Sequence, residues 1–195
     1  MNDIMVFLRN LAKEQLLLAS AVPLGSAFGN VDCCRVGPEI YQKWENQKMK
    51  WLGFRERVST VSGIKTVLSR WQLNGRAFQS DPGVFILSNS SALNFNQQIT
   101  LLTINTLLGN AILNADDTQN YSAEQWCEFE SIYNWKNSEV QKIEDLGKDR
   151  FSIHFLNDER QWLALINLSS KKAEFPLKKG AITLEPYESI ILENR

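Results

Sequence analysis

Leu16-Leu17-Leu18-Ala19-Ser20-Ala21-Val22 is a short, almost wholly apolar run that stops at the loop Pro23-Leu24-Gly25-Ser26-Ala27-Phe28-Gly29-Asn30. A second short strand signal, 31–36, follows at once. It delivers Arg35 and then, through Gly37-Pro38, Glu39 onto the next loop. A strand buried on both faces of a parallel sheet reads as a continuous apolar run of this kind. Polar residues at the carboxyl ends of such strands are where (βα) barrel enzymes keep their chemistry.

Outward from this stretch the chain alternates. Ile4, Phe7, Leu8 and Leu11 mark one face of a helix predicted over 4–14. Residues 42–70 read as mainly helical, through Trp44, Met49, Trp51 and Leu52 and then Val61, Ile64, Val67 and Leu68, with Gly53 as the break. Arg76-Ala77-Phe78-Gln79 reads as a strand ending at Ser80-Asp81-Pro82-Gly83, and 95–108 as a helix followed by a Gly109 cap. Asn110–Asn114 reads as a strand, and 122–137 as a helix opened by Ser122 and Gln125 in capping-box spacing.

Near residue 138 the pattern changes. Strands are predicted at 139–145, 150–156, 161–168, 172–177, 181–184 and 188–193, with turns such as Asn157-Asp158 and Lys179-Gly180 between them. An uninterrupted run of short strands predicts a small antiparallel β-sandwich. The fold class is therefore α/β over 1–138, with an antiparallel β domain over 139–195. Four β/α repeats do not close a barrel, which needs about eight.

Composition narrows the function. In 195 residues, 44% are hydrophobic, enough for a core, and the net charge is −1. A nucleic-acid binder carries a concentrated basic surface; here Lys171-Lys172 and Lys178-Lys179 read as solvated turns. The N-terminal helix carries Asp3, Arg9, Lys13 and Glu14, too charged for a signal peptide, and no later apolar run reaches membrane-spanning length. Cys33, Cys34 and Cys127 are few and odd in number, which fits a reduced, cytoplasmic compartment. No metal-ligand spacing is present and no cofactor is expected. The one histidine, His154, lies in the alternating strand Phe151-Ser152-Ile153-His154-Phe155 and reads as a surface or packed residue.

Arg35, Glu39 and Trp44, in that order and spacing, resemble the acid/base region of the retaining α-galactosidases of the melibiase type. Three more segments agree in order. Trp71 with Ser80-Asp81-Pro82 resembles the family's Trp and Asn-Asp-Pro loop after strand seven. Leu93-Asn94-Phe95-Asn96-Gln97-Gln98-Ile99-Thr100 resembles its Leu-Ser-x-x-Gln-Gln-x-Thr helix start. Ala111-Ile112-Leu113-Asn114-Ala115-Asp116-Asp117 resembles strand eight, which ends in an acidic residue.

The resemblance implies strands five to eight of a TIM-type barrel, then the family's C-terminal β domain. It also implies an α-galactoside or related sugar as substrate. Retaining hydrolysis needs one carboxylate to attack the anomeric carbon and another to protonate the leaving oxygen and then activate water. Glu39 takes the acid/base place, Arg35, Asp81, Ser20 and Trp44 contact substrate, and Asp81 alternatively orients Arg35. Taken alone, Pro38-Glu39 also fits the first turn of a helix, and Asp81-Pro82-Gly83 fits any turn.

The departures shape the expectation. The family's acid/base is Asp, and Glu39 is one methylene longer; a misplacement of about 1 Å costs roughly a hundredfold. Ser20 stands where many relatives have a sugar-contacting Cys. The family's nucleophile lies in a Lys-x-Asp strand four, and no such strand precedes residue 16; Asp3 begins a helix. The chain thus reads as the C-terminal part of a longer enzyme, inactive alone. The alternative is a truncated, inactive product or a sugar- or protein-binding module. A bare strand edge predicts association with the missing half-barrel or with itself.

Overall fold

A computed structural model describes residues 1–54, 57–178 and 180–194. Arg55 and Glu56, inside the predicted 42–70 stretch, and Lys179 of the predicted turn lie outside the described residues. The fold is mixed α/β. The chain divides into two compact units, Met1–Phe85 with Leu108–Ala115, and Ile86–Leu107 with Asp116–Arg195.

In the first unit, α1 (Asn2–Ala12) is followed by β1 (Leu18–Ala19), the single turn α2 (Leu24–Ala27), β2 (Cys33–Arg35), α3 (Gln47–Trp51) and α4 (Thr60–Arg70). Next come β3 (Gln79–Asp81), β4 (Val84–Phe85) and, after an excursion through the other unit, β5 (Leu113–Asn114). β1, β2 and β3 form a parallel sheet in that order, with Ala19 opposite Cys34 and Arg35 opposite Asp81. β4 and β5 form a separate parallel pair. The bend at Pro82-Gly83, where Gly83 has φ +101°, separates β3 from β4. Asn110 and Ala111 still donate to the Ser80 carbonyl. The strand expected at 76–79 lies at 79–81, which puts Asp81 inside the sheet rather than on a loop.

Helix boundaries follow local chemistry. Ser59 caps α4 by accepting from the Ser62 N–H, and Asn46 caps α3 by accepting from the Met49 N–H. α4 buries Val61, Ile64, Val67 and Leu68, the predicted face. α1 differs. Only its Met5 is buried, while Ile4, Phe7, Leu8 and Leu11 are exposed. Arg9 holds α1 in place: its Nε donates to the Asn30 carbonyl and its Nη2 to Asp32 Oδ2, which also accepts from the Leu17 N–H.

The second unit contains α5 (Phe95–Leu108), α6 (Ala123–Tyr133) and six strands: β6 (Glu139–Gly147), β7 (Arg150–Asn157), β8 (Arg160–Asn167), β9 (Ala173–Leu177), β10 (Gly180–Leu184) and β11 (Ser189–Glu193). These match the predicted segments to within two residues, except that α6 ends four residues early. β6, β7, β8 and β11 form an antiparallel sheet in the order β11-β8-β7-β6, and β9 pairs with β10. Leu163 and Leu165 of β8 meet Phe175 and Leu184 of the hairpin in one apolar cluster.

α5 is buried throughout from Thr100 to Leu108, so polar side chains in it need partners. Asn96 and Thr100, four apart, donate to the carbonyls of Pro186 and Tyr187. Ser122 and Gln125 form the predicted capping box of α6.

Asn167 is the polar hub of this unit. It is fully buried, and its Nδ2 donates to the carbonyls of Lys171 (2.8 Å) and Glu185 (2.7 Å). Its Oδ1 accepts from the Ser169 N–H and hydroxyl. Asn167→Ala removes these bonds and leaves the Ser169 N–H without a partner, while the Lys171 carbonyl keeps the Ser169 hydroxyl and the Glu185 carbonyl keeps the Glu188 N–H. It is expected to cost about 2–4 kcal/mol. Urea unfolding followed at the tryptophans measures it; a loss under about 1 kcal/mol would contradict the hub role.

Candidate active site

The site forms where β2 and β3 end. Arg35 closes β2 directly beside Asp81 of β3. The Arg35 Nε donates to Asp81 Oδ2 at 2.8 Å, and its Nη1 donates to Glu39 Oε1 at 2.7 Å. One guanidinium therefore holds both acidic candidates. Their environments are opposite: the Asp81 side chain is 0% exposed, Arg35 12% and Glu39 64%.

Asp81 is fully committed. Its Oδ1 accepts from the Gly83 N–H at 2.7 Å, so both oxygens are used within the protein. Of the two roles expected for it, orienting Arg35 is the one whose geometry is present. Burial works against the Arg35 charge, but the hydrogen bond and charge of Asp81, with Glu39 behind them, outweigh it and raise its pKa. Beside Asp81, the buried Ser80 hydroxyl has no partner among the described residues.

The loop carrying Glu39 is set by steric contact. Ile40 Cδ1 sits where a Cβ on Gly63 would come within 2.8 Å, and Ile40 Cγ1 within 2.9 Å of one on Gly83. Ile40 is thus wedged between a helix and a turn that approach only because both positions are glycine. A glycine inside a helical pattern signals such an approach, so Gly63 was readable in principle; its partner was not. Arg70 reinforces the loop by donating to the Val36 carbonyl at 2.5 Å.

Ser20 is exposed immediately after β1. Trp44 is only 9% exposed and its carbonyl accepts from the Val61 N–H, so its ring is largely covered by the unit itself. Arg35, Glu39 and Asp81 are joined by direct bonds; no such bond links Ser20 to them among the described residues. Cys33 and Cys34 are buried in β2, and burial, then the Asp81 charge, pushes the Cys33 thiol up to about 11. Asp116, read as the end of the last parallel strand, instead organises the second unit: its Oδ2 accepts from the N–H groups of Leu87 (2.5 Å) and Ser88 (3.0 Å) and from the Tyr121 hydroxyl (2.7 Å).

No protein-family model matches the sequence, and no curated protein matches it. Solved structures do match in fold. An α-galactosidase from Thermus thermophilus, in complex with p-nitrophenyl α-D-galactopyranoside, matches 82% of this chain and 32% of its own with a TM-score of 0.64 and 21% identity. α-Galactosidase I from Mortierella vinacea matches 98% of this chain and 58% of its own, with a TM-score of 0.70 and 11% identity. The α-galactosidase from Saccharomyces cerevisiae with raffinose matches 75% and 38%, with a TM-score of 0.55 and 11% identity. The chain spans between about a third and three-fifths of these relatives' length, and it shares their fold over that part.

Two outcomes follow from the burial contrast. Arg35→Ala strands the Asp81 charge and is expected to cost about 3–5 kcal/mol, whereas Glu39→Gln at the exposed end changes stability by under about 1 kcal/mol. Urea midpoints of the two variants check the asymmetry. Thiol labelling at pH 8 should modify Cys127 in the native chain and reach Cys33 and Cys34 only after unfolding, because the two are buried and the Cys33 thiolate is scarce at that pH.

Proposed function

We propose that this chain is the carboxyl-terminal part of an α-galactosidase-like glycoside hydrolase that acts with retention on terminal α-galactosides when complete. One observation carries the reading: Arg35 holds Glu39 and Asp81 together at the carboxyl ends of parallel strands, within a fold shared with α-galactosidases. In this proposal the first unit supplies strands five to eight of a TIM-type barrel, and the β strands from 139 onward form the C-terminal β domain.

The roles follow from what each group is free to do. Glu39 protonates the glycosidic oxygen as the bond to the anomeric carbon breaks, then takes a proton from the water that releases the sugar. A general acid must hold its proton until that moment, and a carboxyl group does so best when shielded from water. Glu39 is 64% exposed here, so the shielding comes from substrate and from the rest of the barrel. Arg35 orients Glu39 and bonds sugar hydroxyls, Asp81 fixes Arg35, Ser20 contacts the sugar at the end of β1, and Trp44 lends an edge of its ring. The nucleophilic carboxylate is assigned to no residue of this chain.

A second reading has its own support. Ile4, Phe7, Leu8 and Leu11 on α1, with Leu16 and Leu18 at edge strand β1, are all exposed. A contiguous apolar surface beside an open strand edge favours association. The half-barrel reading and the binding-module reading therefore share a surface and differ in chemistry.

The test is a rate comparison. The 195-residue chain alone is expected not to hydrolyse p-nitrophenyl α-galactoside. Supplied with the amino-terminal barrel half of an α-galactosidase, in cis or in trans, it is expected to turn over. Glu39→Gln should then slow raffinose by about a hundredfold or more and the nitrophenyl substrate far less, since a good leaving group needs little protonation. Turnover by the chain alone, or equal losses on both substrates, overturns the assignment.

A further inference from the structure

We infer that the second unit carries a saccharide-binding site of its own, built by Trp135 and Trp162. Trp135 follows the carboxyl end of α6, and Trp162 lies on β8 opposite Phe155 of β7. The two indoles meet at 4.6 Å and 63°, and Trp135 also packs edge-on against Phe155 at 5.7 Å. They floor a cavity of about 580 Å³ whose remaining lining is Asn134, Asn157, Asp158 and Arg160.

The rim is held rigidly. Asn157 pairs with Arg160 across the hairpin, whose turn residues Asp158 and Glu159 both have positive φ. Asn134 is fixed by its backbone N–H at the end of α6. Yet the polar side chains are uncommitted: among the described residues, those of Asn134, Asn157, Asp158 and Arg160 make no hydrogen bond or ion pair. The indole N–H of Trp162 is shielded and likewise has no acceptor. A shielded donor without a partner is uncommon in a folded protein and calls for an explanation.

The chemistry of the lining selects the ligand. A sugar ring offers an apolar C–H face to an indole and a rim of hydroxyls that both donate and accept. The cavity offers aromatic surface, two amides, one carboxylate and one guanidinium, so donors and acceptors alternate at its edge. A proline-rich peptide needs a groove between separate aromatic ridges. Here the two indoles touch edge to face, so no groove runs between them and one aromatic wall is left, which suits a ring.

The experiment is an NMR titration of the full 195-residue chain, watching the tryptophan indole N–H signals as raffinose, stachyose or maltose is added. The Trp135 and Trp162 signals are expected to shift and saturate with at least one of the three at millimolar concentration. Trp135→Ala should weaken binding about tenfold or more. Asp158→Asn, which keeps the side-chain shape and tolerates positive φ, should weaken it several-fold without unfolding the hairpin. Glu39→Gln should leave these shifts unchanged, which separates this site from the candidate active site. Unmoved indole signals with all three sugars, shifts insensitive to Asp158→Asn, or shifts produced by polyproline instead would overturn the inference.

Discussion

The first unit depends on one forked contact. Asp81 is a carboxylate with no exposed side-chain surface, and such a charge is tolerated only when paired and hydrogen-bonded. Arg35 supplies the pairing from the adjacent strand and the Gly83 N–H supplies a second bond. Because the guanidinium is planar, fixing its Nε on Asp81 also fixes where its other nitrogens point. Glu39 is met by one of them. A structural charge pair thereby aims a surface carboxylate, and the geometry of the candidate acid/base is inherited from the sheet.

Backbone proximity does the rest of the positioning. The Glu39 loop is carried over α4 by Ile40, whose side chain fills the space that Gly63 and Gly83 leave open. Apolar wedging at Ile40 and the fork at Arg35 constrain the intervening loop from opposite ends. That redundancy is what a catalytic carboxyl group on a loop requires, since small displacements are costly in rate.

In the second unit, polar side chains play the organising part. Asn167 gathers two carbonyls and the Ser169 donors where β8 leaves the sheet, and Asp116 gathers two amides and a tyrosine hydroxyl at the 87–88 loop. Asn167 uses both its amide nitrogen and its amide oxygen within the protein, which is the condition for a buried polar network to add specificity rather than cost. The shared fold with α-galactosidases is consistent with this design, but a fold hosts many activities.

Much was legible in the sequence because it is local. The strand runs at β7 and β8, the capping box at Ser122 and the apolar run around β1 are short-range patterns, and elements form where they stand. The order Arg35, Glu39, Asp81 also named three residues that direct bonds bring together. Three things required the tertiary structure. The apolar stripe of α1 predicts burial, yet what covers a stripe is decided by other segments, and here it is exposed. Asp81 lies within β3, opposite Arg35, rather than on a loop, an outcome of how β3 meets β2 rather than of propensity. The pairing of Trp135 with Trp162 spans a helix end and a strand, and no periodicity within either segment encodes a contact between them. Sequence by itself determines which residues can form each element and which side chains carry chemistry; long-range packing decides which of them meet, because burial and charge pairing are properties of neighbours in space.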